Sequence, residues 1–131
     1  MTDERTVLFV CLHGAGMSRM AAAFFNHAAP PGWRAVSAGV DPSEALSATA
    51  ETLLAGTGAE THLDRAAPRP IGAVEHPRRV VALRNPVIQY DLEATERWDL
   101  DNSAGVALRD EIRARAEALA RTIAGPQGDD P

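Results

Sequence analysis

Residues 6–25 read TVLFVCLHGAGMSRMAAAFF. Thr6 to Val10 is an apolar run rich in β-branched residues and Phe, which predicts a buried strand. It ends at Cys11, the only cysteine of the chain. Six residues with two glycines follow, Leu12-His13-Gly14-Ala15-Gly16-Met17, and from Ser18 the pattern turns helical. Met20, Ala23, Phe24 and His27 recur at that spacing, so a helix is expected over 18–28, stopped by Ala29-Pro30-Pro31-Gly32. A strand, a short Gly-bearing turn and a helix together aim backbone N–H groups at an anion. Leu12, His13, Gly14, Ala15, Gly16, Met17 and Ser18 are therefore read as an anion-binding loop. A cysteine at the strand's end would face the positive end of the helix dipole, which favours a thiolate. The competing reading is an ordinary strand-to-helix turn with an inert buried thiol.

Working outward, Trp33 to Ala38 predicts a second strand, parallel to the first because a helix joins them. Asp41-Pro42-Ser43-Glu44 has the form of a capping box, with Ser47 as a rival helix start. Either start gives that helix an inner face of Leu46, Ala50, Leu53 and Leu54, ended by Gly56 or Gly58. Ile71 to His76 is expected to hold one helical turn, and Arg79 to Leu83 a third strand that Asn85-Pro86 breaks. A short fourth strand is expected near Arg97-Trp98. Val106 to Ala124 predicts an amphipathic helix with Leu108, Ile112, Ala116, Leu119 and Ile123 inward. Glu111–Arg115 and Glu117–Arg121 are i,i+4 pairs on its wet side. Gly125-Pro126 is expected to close it. Strands alternating with helices predict an α/β fold: a single-domain three-layer α/β/α sandwich around a four-stranded parallel sheet. Residues 1–125 would form the domain and 126–131 a tail.

A length of 131 residues suits one domain. No apolar run is long enough to span a membrane, and MTDERTVLFV does not read as a signal peptide. The single cysteine excludes an internal disulfide and points to the cytoplasm. A net charge of −5 argues against nucleic acid as a partner. All 13 basic residues are arginine, which looks like a bias of genome composition. His27, His62 and His76 lack ligand spacing, so no metal is assigned and no cofactor is expected. Trp33 and Trp98 are read as packing residues.

CLHGAGMS, with SAG at Ser37–Gly39, WDL at Trp98–Leu100 and AG at Ala104–Gly105, resembles the low-molecular-weight protein tyrosine phosphatases. The arsenate reductases built on the same fold share the likeness. Their signature is C-x5-R-[ST] after the first strand, and the reductases often read C-x-H-N-A-G-R-S. The resemblance covers most of the chain in order and spacing, strongly at both ends. Gly14 replaces the family's Asn, and both residue types accept a left-handed backbone. What the resemblance implies is a thiolate nucleophile at Cys11, steadied by the Ser18 hydroxyl, with loop amides and an arginine on the oxyanion. An aspartate before the last helix would be the acid. Two of those parts are altered here. Met17 stands at the arginine position, and a thioether has no donor and no charge. Asn102 falls on the acid position of W-D-L-x-D-P-A-G, and an amide cannot deliver that proton.

Met17 also fits a helical stripe with Met20, Ala21 and Phe24, and Met commonly fills core gaps. Arg19, two residues on, is read as pointing to another side of the helix. Arg84, after the third strand, is a candidate to reach over the loop, against the alternative of a solvated arginine. Asp101 is a candidate substitute acid, against a capping role with Asn102 or Ser103. His13 is expected to bond within the loop. The leading expectation is a degenerate relative, a pseudophosphatase that binds an oxyanion or a phosphorylated protein. The alternatives are an active phosphatase or a single-cysteine arsenate reductase using an external thiol, and a thiol redox module.

Overall fold

The computed structural model describes residues 5–84, 96–102 and 104–129, with backbone alone for 125–129. The strands are β1 (Arg5–Cys11), β2 (Trp33–Gly39), β3 (Arg79–Leu83) and β4 (Glu96–Trp98). They form one sheet in the order β2-β1-β3-β4, and every pairing is parallel. The helices are α1 (Met17–Ala28), α2 (Ala48–Leu54) and α3 (Gly105–Asp129), with short 3₁₀ turns at Glu60–His62 and Ile71–Ala73. This is the single-domain α/β fold that the alternation of apolar runs predicts.

β1 lies in the middle and is buried on both faces, so its apolar run has no polar alternation. Val7, Phe9 and Cys11 face the larger core with Met20, Phe24 and Phe25 of α1 and Ala50 and Leu54 of α2. Leu108, Ile112, Ala116, Leu119 and Ile123 of α3, the inward stripe read from the sequence, complete it. Leu8 and Val10 face a smaller cluster with Ala38 and Val80, against which Ile71 and Val74 pack. Trp98 is buried at 2% exposure, its ring 5.4 Å from that of Phe9. Trp33 carries the Arg5 guanidinium 5.0 Å above its ring.

Three boundaries differ from expectation or fall beyond it. α2 starts at the rival position: Ser47 is its N-cap, and its side chain accepts from the Ala50 N–H at 3.4 Å. The capping-box segment 41–44 stays irregular, and two of its N–H groups bond to the 12–13 turn. α3 runs through Gly125-Pro126 to Asp129; proline's fixed φ is helical, so the cost there is one lost bond and a crowded turn. Asn85-Pro86 and Ser103 lie outside the described residues.

Candidate active site

The end of β1 and the start of α1 meet at the carboxyl ends of the parallel strands, where loops of α/β sheets build sites. Between them the chain turns through residues 12–16, and the direction of each peptide there is fixed from outside. The Leu12 carbonyl accepts from the Asp41 N–H at 2.7 Å, His13 from the Ser43 N–H at 3.2 Å, and Ala15 from the Ser47 N–H at 3.0 Å. The Gly14 carbonyl accepts from the Arg19 Nε at 3.0 Å. Gly16 accepts from the Met20 N–H of the first helical turn at 3.0 Å. No cis peptide bond occurs, and in a trans peptide the N–H points opposite to the carbonyl. Each of these hydrogen bonds therefore also sets the direction of the following N–H, from His13 to Met17.

One of those N–H groups reaches the sulfur. The Gly14 N–H donates to Cys11 Sγ at 3.3 Å, and Sγ is also hydrogen-bonded to Ser18 Oγ at 3.1 Å. Among the described residues, the N–H groups of His13, Ala15, Gly16 and Met17 have no acceptor. Gly14 makes the turn possible: its φ is +67°, and a Cβ there would lie 2.6 Å from the Gly39 nitrogen. Gly39, the last residue of the SAG stretch, presses on the loop in return. His13 is exposed, with Nδ1 2.9 Å from the Asp41 carbonyl oxygen, which ties the loop to the β2–α2 connection rather than to itself.

Cys11, Leu12, His13, Ala15, Gly16 and Met17 line a cleft of about 480 Å³ with Ser43, Ala45 and Ser47. Met17 does two things: it is half-buried against the larger core and forms part of this wall. No arginine or carboxylate lines the cleft among the described residues. Arg84, Asp101 and Asn102 are not in its wall. Arg84 has φ +61°, and its guanidinium donates to the Asn102 carbonyl at 3.0 Å. The Asn102 side-chain amide donates to Glu111 Oε1 at 3.0 Å. The backbone N–H groups of Asp101 and Asn102 donate to the same carboxylate, each at 2.9 Å. These bonds hold the Glu111 carboxyl below its ordinary value, the two backbone donors foremost. Asp101 itself is exposed.

Two residues that the sequence reading set aside belong to this architecture. Glu111 is one, as the acceptor for the 101–102 turn. Arg19 is the other: it is 1% exposed, bonded to the Gly14 carbonyl and, through Nη1, to the Asp64 carbonyl. Asp64 in turn pairs with Arg69 at 2.8 Å. Burial pushes the Arg19 guanidinium below its ordinary value and Asp64 pulls it back up; it stays a cation. Burial raises the Asp64 carboxyl, but the Arg69 bond, the Ala66 N–H and the charges of Arg69 and Arg19 bring it below its ordinary value. The available signal for Arg19 was its oddity, since a cation in the first helical turn opposes the dipole.

An arsenate reductase from Archaeoglobus fulgidus DSM 4304 is 31% identical to this chain, over 87% of this chain and 98% of that one, with a TM-score of 0.69. The YwlE arginine phosphatase from Geobacillus stearothermophilus shares the fold at 21% identity, 97% of both chains and a TM-score of 0.69. A low-molecular-weight protein tyrosine phosphatase from T. tengcongensis does so at 21% identity, 91% of this chain and 97% of that one, TM-score 0.63. No protein-family model and no curated protein matches. The chain belongs to the family of the low-molecular-weight protein tyrosine phosphatases and the arsenate reductases built on their fold.

Proposed function

We propose that this chain binds a phosphate-like oxyanion in the Cys11 loop and turns over phosphate esters slowly or not at all. It would then be a binding or regulatory relative of the family's enzymes, acting in the cytoplasm on a phosphorylated protein. This reading rests on Met17 in the cleft wall, the residue that the resemblance sets against the signature's arginine. The Gly14 N–H on the sulfur, and the N–H groups of His13, Ala15, Gly16 and Met17 that have no acceptor among the described residues, suit an anion, and the helix dipole adds to them. Without a forked cation the equatorial oxygens lose a bidentate, charged partner. Losing even one oxyanion donor costs about 10²–10³ in rate. Asn102, whose amide is committed to Glu111, offers no proton to a leaving group.

Turnover of an aryl phosphate by the wild type, Met17→Arg and Met17→Arg/Asn102→Asp tests this. The account expects an inert wild type and a rise of about 10²-fold or more in the double variant. Wild-type turnover matching that of the double variant contradicts it.

The 31% identity to an arsenate reductase, against 21% to the two phosphatases, favours one second reading. Cys11 would attack arsenate, forming a sulfur–arsenic bond as one arsenate oxygen leaves as water, and an external thiol would then attack the sulfur and break that bond. Arsenic gains two electrons and leaves as arsenite, and the two sulfurs leave as a mixed disulfide. Arsenite released only when arsenate and glutathione are both present, together with a glutathione adduct on Cys11, would support this route. Neither product appearing removes it.

A further inference from the structure

The loop is braced by four backbone donors and one side chain, and that side chain is a buried cation. Arg19 Nε holds the Gly14 carbonyl at 3.0 Å. That carbonyl belongs to the same peptide group as the Ala15 N–H, which therefore points away from Arg19, and Ala15 lines the cleft. A cation on the oxygen end polarises the peptide, so its N–H end presents more positive charge to the cleft. Arg19 also has a buried Nη2 with no partner among the described residues. Behind the loop, Arg19 donates to the Asp64 backbone carbonyl, and Arg69 pairs with the Asp64 carboxylate and donates to the Ser37 carbonyl, each at 2.8 Å. Arg19 itself is 1% exposed, so the field of its charge is weakly screened.

We propose that Arg19 is the positioning residue of the Cys11 loop and its substitute cation, supplying from behind the loop the positive potential that Met17 cannot supply from within it. This deepens the oxyanion reading and rests on it. It also explains how an arginine position could be lost without the loop losing all preference for anions. Helical side chains lean toward the N-terminus of their helix, which lets the third residue of α1 reach back over the turn.

The test compares alkylation of Cys11, the chain's one cysteine, by anionic iodoacetate and neutral iodoacetamide. The ratio of the two rates cancels the thiolate fraction and reads the local potential. Arg19→Gln keeps a donor for Gly14 but no charge, and is expected to lower the ratio about 3- to 10-fold. Arg19→Lys keeps the charge and is expected to stay within about twofold of wild type. An unchanged ratio in folded Arg19→Gln overturns the proposal, as do equal losses in the two variants. Should Arg19→Gln fail to fold, Arg69→Gln neutralises the same cluster from its more exposed end, and an unchanged ratio there overturns it equally. Phosphate failing to slow wild-type alkylation would count against the oxyanion reading, while the ratio still judges Arg19.

Discussion

Gly39 and Gly14 meet backbone to backbone. A Cβ on Gly39 would lie 2.4 Å from the His13 carbonyl carbon, and one on Gly14 would lie 2.6 Å from the Gly39 nitrogen. Neither neighbour is a side chain that can swing away. Gly39→Ala should therefore destabilise the fold by about 1–3 kcal/mol, read as a lower midpoint in urea. Gly14→Ala should be worse, because its φ of +67° adds backbone strain. A wild-type midpoint in Gly39→Ala would mean that the loop does not rest on β2. The value of Gly14 at the family's Asn position was legible from the sequence, since few residue types take that φ. The part played by Arg19 was not legible. Counting residues around a helix places it off the loop's side, whereas its contact depends on a long side chain leaning back past its own turn.

At the scale of elements, the β2–α2 connection and the start of α3 do work that their sequences do not advertise. Asp41-Pro42-Ser43-Glu44 and Ser47 both carry N-cap chemistry, and local pattern cannot choose between them. The structure starts the helix at Ser47, while the N–H groups of Asp41 and Ser43 hold the Leu12 and His13 carbonyls. Ser47→Ala should cost about 0.5–2 kcal/mol and leave the Ser47 N–H bond to Ala15 in place. At α3, the expected Glu111–Arg115 pair forms at 3.6 Å, but Glu111 serves mainly the Asp101 and Asn102 N–H groups. Its carboxyl is held below the ordinary 4.5, so the ionised form stabilises the fold above that value. The contribution fades as pH falls through the lowered folded-state value. Glu111→Gln should accordingly flatten the loss of stability below about pH 4.5. Urea midpoints measured from pH 7 down to pH 3 check this, and an unaltered slope would detach Glu111 from the 101–102 turn.

For the molecule as a whole, the fold was readable because the strands around β1 and the stripe on α3 are written in strong apolar patterns. Ile112, fully buried between α3 and the rest of the core, should cost about 2–5 kcal/mol as Ile112→Ala. What the pattern could not show were contacts that join distant segments through polar atoms, such as the His27–His62 ring contact at 5.5 Å. The candidate site was half legible: its sulfur, its glycine turn and the absent guanidinium could be read, while the outward bracing that orients its amides could not. Backbone amide NMR reads that bracing at the loop itself. Titration of the protein with inorganic phosphate should move the amide signals of His13, Ala15, Gly16 and Met17 together and saturably, with Arg19→Gln weakening the response at Ala15. Phosphate that shifts none of those four signals, or shifts them no more than amides across the sheet, would contradict it.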